Sequence, residues 1–159
     1  MTTHSTAETR EVSTGGWRAP WNAAAAALER ALPMDVVLLV ARLGVAAVFW
    51  LSGRTKVEGV LHVTDGAVTL FRDEYRLPLV DPALAAHLAA YAEHLFPLLL
   101  AVGLLTRGAA LALLGMTLMI EVFVYPDAWA THLSWAAPLL LLVARGAGAW
   151  SLDRPLGLR

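Results

Sequence analysis

Residues 111–120 read LALLGMTLMI, and residues 135–144 read WAAPLLLLVA. Neither stretch carries a polar stripe, which every outward face of a soluble helix bundle needs. They belong to two apolar segments, at about 108–125 and 133–150. Two more lie upstream, at about 36–52 and 83–105. Each comes near the roughly 20 residues that cross a hydrocarbon layer. The first and third are short, which implies local thinning or flanking anchors. The connections around 106–108 and 126–131 are short as well, and short connections favour antiparallel neighbours. The expected fold is therefore all-α, an antiparallel bundle of four transmembrane helices.

Composition agrees with that reading. Of 159 residues, 58% are hydrophobic and 16% charged, against roughly 45–50% and 25% in ordinary soluble domains. The net charge of −1 gives no electrostatic support to a nucleic-acid partner. The chain has no cysteine, so it can form no disulfide, thiolate nucleophile or iron–sulfur site of its own. No haem or flavin site is evident either.

Outside the four segments, residues 1–16 read as a polar tail without the apolar core of a signal peptide. Residues 17–32, WRAPWNAAAAALERAL, predict an amphipathic helix. Trp17, Trp21, Leu28 and Leu32 share one face of it, a pattern that suits the membrane interface. Residues 155–159 form a short tail. The one long connection, 53–82, mixes charge with Val68, Phe71, Tyr75 and Leu77, and predicts a short interfacial helix or strand. Counting Lys and Arg outside the spans puts seven on the side of both termini and four on the other. The excess places both termini in the cytoplasm.

Charges inside a span cost a few kcal/mol or more, so they need a reason. Arg42 falls about 10 Å into the first span and Glu93 about 15 Å into the second, at 1.5 Å per residue. These depths are compatible with an ion pair between them. Such a pair either fixes helix register or tunes Glu93 as a proton carrier. His94 adjoins Glu93, and His87, Tyr91 and His94 share a stripe suited to proton or metal handling. Arg54, Lys56, Glu121, Tyr125, His132 and Trp135 fall at one level and predict a polar mouth at the outer end. The mouth suits a polar head group such as a quinone ring, with a carboxylate and a histidine for proton exchange. An interfacial belt of anchors is the alternative. Glu121 and His132 also offer two ligands to a metal cation. Met116 and Met119 read as packing, and Gly44, Gly103, Gly108 and Gly115 as points of close helix approach.

The order of RLGVAAVFWLSGRTK, YAEHLFPLLLAVGLLTR and GAGAWSLDR resembles the DoxX family of small four-helix membrane proteins. The resemblance runs over about 36–154. It rests on Arg42, Gly53, Lys56, Glu93, Pro97, Gly103, Arg107 and the run Ser151, Leu152, Asp153. It implies a bacterial-type inner-membrane protein tied to redox or stress chemistry, as an accessory or a quinone-reducing subunit of an oxidoreductase complex. On that reading a partner protein supplies the electrons, since this chain shows no site for their entry. The other readings are a metal-stress accessory or small transporter for a metal ion or peptide, and an anchor for a soluble enzyme. An anchor needs neither Glu93 nor His94 inside the bilayer. A homo-oligomer stays open.

Overall fold

The structure, a computed structural model, describes residues 17–158 and is mostly helical. The described residues fall into two compact units, one up to Pro33 and one from Met34 onward. In the first, α1 spans Arg18–Ala31 around the five-alanine run. Trp17, Trp21, Leu28 and Leu32 are all exposed, with the Arg18 guanidinium 5.6 Å from the Trp17 ring. Leu32 leaves the helical region before Pro33, as the residue ahead of a proline tends to do.

The second unit holds α2 (Met34–Arg54), a hairpin of β1 (Val57–Glu58) and β2 (His62–Val63), α3 (Asp65–Leu70), α4 (Pro82–Val102), α5 (Thr106–Phe123) and α6 (Trp129–Arg145). α3 runs on into one π-helical turn, Phe71–Tyr75. Leu38, Arg42, Val45, Ala46, Phe49 and Gly53 form the buried stripe of α2, at spacings of three and four. Of these, Leu38, Val45, Ala46 and Phe49 meet Leu100 of α4, Ala110 and Leu113 of α5, and Leu139 and Leu142 of α6 in one core. The opposite faces are apolar too. Val40, Leu43, Leu95, Leu98, Leu111, Leu118 and Leu140 all stand exposed. α2, α4 and α5 are each long and apolar enough to cross a membrane, and apolar outer faces are what lipid requires.

The 53–82 connection is a folded cap. The hairpin pairs Val57 with Val63. Val57, Val63, Ala67 and Phe71 then pack on Ala85, Ala86 and Ala90 of α4. Thr64 caps α3 by accepting from Ala67 N, and Asp81 caps α4 by accepting from Leu84 N with Pro82 next in line.

α5 has no local cap. Its first amides, Leu105 N and Thr106 N, donate to the Asp153 carboxylate at 2.7 and 3.0 Å. Leu152 N and Asp153 N in turn donate to the carbonyls of Val102 and Gly103. Asp153→Ala should therefore cost about 1–2 kcal/mol, as loss of a helix cap does, read as a lower thermal midpoint in detergent.

Two expectations are corrected here. A Cβ at Gly44, Gly108 or Gly115 would meet nothing within 4 Å, so these glycines do not mark close helix approach. Only Gly103 of that group is crowded. The last apolar segment also stops being helical at Arg145, because Gly146 turns out at φ +78°. Ala149 N can then reach Asp35 Oδ1, 2.7 Å away at the start of α2.

Candidate functional site

The buried stripe of α2 continues past the helix end. Thr55 N and Lys56 N close a turn onto Ser52 O and Gly53 O, which carries Lys56 inward. Its ammonium meets Glu93 Oε2 at 2.7 Å, and both side chains are almost fully buried. Ser52 Oγ donates to the other carboxylate oxygen at 3.2 Å and lies 3.0 Å from Lys56 Nζ. Both oxygens of Glu93 are thus engaged, and the cluster is neutral as a whole. Neutrality lowers the cost of placing a carboxylate in an apolar bundle.

The expected ion pair of Arg42 with Glu93 is therefore not formed. Arg42, 1% exposed, donates from its two terminal nitrogens to the carbonyls of Leu100, Ala101 and Trp150, and its Nε has no partner among the described residues. Ser52 lies ten residues further along α2, about 15 Å at 1.5 Å per residue. Arg42 ties the end of α4 to the segment after α6 and takes no part in the Glu93 cluster.

His94 turns away from Glu93 toward α2. Its Nδ1–H donates to Ala90 O at 2.7 Å, and its ring meets Trp50 edge to face at 4.9 Å. Among the described residues Nε2 has no partner. A Cβ at Gly53 would stand 2.9 Å from that ring, so glycine leaves the room His94 needs. His87 makes the same bond to Ala83 O and meets Tyr91 edge to face at 6.0 Å.

Glu93 and Ser52 face a cavity of about 720 Å³ between α2, α4, α5 and α6. That size lies within the range of small-molecule sites. Phe49, Phe96, Met116 and Trp135 give it apolar walls, and His132 adds a further polar group. Its lining also includes Leu88, Tyr91 and Leu95 of α4 and Met119 of α5, all exposed. The cavity thus opens sideways between α4 and α5. Phe71, Tyr75 and Leu77 of the cap close it elsewhere.

The expected outer mouth is realised only in part. Tyr125, His132 and Trp135 line the cavity, with His132 edge-on to Trp135 at 5.1 Å. Glu121 contacts His132 Nδ1 from a neighbouring groove of about 550 Å³ on the flank of α5 and α6, which His132 also lines. Lys56 belongs to the Glu93 cluster instead. Arg54 faces the other way, exposed, against the carbonyls of Gly59 and Val60. Residues 54 and 52 stand about 200° apart around the helix, so one cannot follow the other into the core. Among the described residues no three His, Cys, Asp or Glu gather as a metal site.

Ser52 and Glu74 are site residues the sequence did not single out, and Tyr75 stood there only as an apolar residue of the long connection. Tyr125 donates its hydroxyl to Glu74, and its ring meets Tyr75 at 5.8 Å, joining the cap to the end of α5. The bond to Glu74 pushes the Tyr125 phenol up, and burial pushes Tyr75 up. A raised phenol favours the folded state below the ordinary tyrosine range near 10 and loses that advantage as pH climbs through the folded value. The cap should thus stay latched through neutral pH and loosen only in strong alkali. An ultraviolet titration checks this: two phenols ionise late, and Tyr125→Phe removes one of them.

An apolar bundle with a neutralised ion pair inside and a side-opening cavity defines a membrane protein with room for a ligand. The chain belongs to the DoxX family, whose model matches residues 37–126. The match ends before α6, short of the 36–154 over which the sequence motifs run. No curated protein and no solved structure matches the chain.

Proposed function

We propose that this chain is a four-span inner-membrane protein with both termini cytoplasmic, and that it binds a quinone in the cavity beside Glu93 as an accessory or quinone-reducing subunit of a redox complex. α6 is the fourth span on this reading. Its 17 residues cover about 25 Å. α1 lies on the membrane surface with its two tryptophans in the interface.

The observation that carries the proposal is the sideways opening of an apolar cavity that holds one polar cluster. A ligand dissolved in lipid enters such a site without crossing water. The walls suit a quinone: aromatic and aliphatic groups for ring and tail, and carboxylate and imidazole groups to accept the hydroxyls of the quinol. Reduction of a quinone to a quinol takes up two electrons and two protons. The electrons come from a partner protein. His132 touches both the cavity and Glu121 in the outer groove, which gives protons a route between the two.

Trp135 in the cavity wall supplies the test. A short-chain quinone added to the detergent-solubilised protein should quench tryptophan fluorescence saturably. Ala92→Phe, which fills the cavity without touching the ion pair, should weaken the apparent affinity about tenfold or more, equivalent to about 1.4 kcal/mol. Equal quenching of both proteins would reject the site.

A further inference from the structure

A second depression, of about 850 Å³, lies at the opposite end of the bundle from the Glu93 cluster and owes nothing to the quinone reading. The start of α2, the start of α5 and the segment after α6 meet there. Ala149 N on Asp35 and the two α5 amides on Asp153 hold them together. Arg107, Arg145 and Arg154 line the depression, and all three are exposed. Arg107 lies over Gly146, where an added Cβ would sit 3.5 Å from its Nε. Among the described residues none of the three is in an ion pair. The two acids in the lining, Asp35 and Asp153, already accept backbone amides. Thr106 lines the same depression, fully buried, with a hydroxyl that has no partner among the described residues.

We infer that this depression is a binding site for a phosphate group, presented either by an anionic phospholipid or by a free phosphate. Three guanidinium groups around one hollow match the oxygens of a phosphate in a way that scattered surface cations do not. The hollow lies where apolar helices begin and end, the level at which lipid headgroups sit, and basic pockets at that level are suited to anionic lipids. Its volume leaves room for more than a bare phosphate.

The test uses the full chain in a neutral detergent. Its thermal midpoint is followed during separate titrations with phosphatidylglycerol, phosphatidylcholine and inorganic phosphate. Phosphatidylglycerol should raise the midpoint saturably, and phosphatidylcholine should not. A rise with inorganic phosphate at similar concentration would support the site and assign it to a free phosphate. Arg145→Gln with Arg154→Gln removes two exposed charges without touching the core, and should weaken the apparent affinity at least tenfold. The matching double lysine variant should keep part of it. Equal shifts from phosphatidylglycerol and phosphatidylcholine would overturn the inference. So would an undiminished shift in the glutamine variant, or no shift with any of the three.

Discussion

Glu93→Leu should be among the most damaging single substitutions in this chain, and adding Lys56→Met should largely repair it. Lys56 is almost fully buried, with the carboxylate as its charged partner at 2.7 Å. Removing one member of a buried pair leaves an uncompensated charge and costs about 3–5 kcal/mol, whereas an apolar replacement of both is often neutral or better. Thermal unfolding of the two variants in detergent separates these cases. The single variant should unfold well below wild type and the double variant near it. Equal losses in both would mean that packing around Glu93, and not charge balance, holds the cluster.

Gly103→Ala is the second. Gly103 ends α4 at φ +70°, a conformation that costs a residue with a Cβ. The added carbon would also press into the Arg42 guanidinium and lie 2.5 Å from Ser151 Cβ. Arg42 cannot yield easily, because it holds Leu100, Ala101 and Trp150 together. Overpacking alone costs about 1–3 kcal/mol, so with the backbone strain the loss should reach about 3 kcal/mol or more. Gly44→Ala is the contrast. Its Cβ meets nothing within 4 Å, in mid-helix, and it should stabilise by about 0.5–1 kcal/mol. Comparable destabilisation by both changes would disprove the assignment of the crowding to Gly103.

The helical elements were legible because the apolar runs are long and uninterrupted, and three of them are helices fit to cross a membrane. The partner of Glu93 was harder to read. Counting residues into a span gives height, but not direction around the helix. Arg42 and Lys56 both lie on the stripe that runs through Leu38, Val45, Phe49 and Gly53, and only the folded chain shows which one meets Glu93. The same stripe, followed past residue 54, would have pointed Lys56 inward and left Arg54 outside. Ser52 gave no signal, since a lone hydroxyl in a span is common. Asp153 stood out by resemblance, but its capping role depends on a contact with residues 47 and 48 positions earlier, which no local pattern encodes. The cavity arises from the spacing of four helices and a cap, and spacing is a property of the assembled bundle.

Lipid extraction from protein purified in mild detergent tests the central claim most directly. Wild type should carry close to one quinone per chain. Ala92→Phe, with the ion pair intact, should carry little, and Glu93→Gln less than wild type. A well-folded wild-type protein without quinone, or an Ala92→Phe variant that retains it in full, would contradict the assignment of the cavity beside Glu93 as the quinone site.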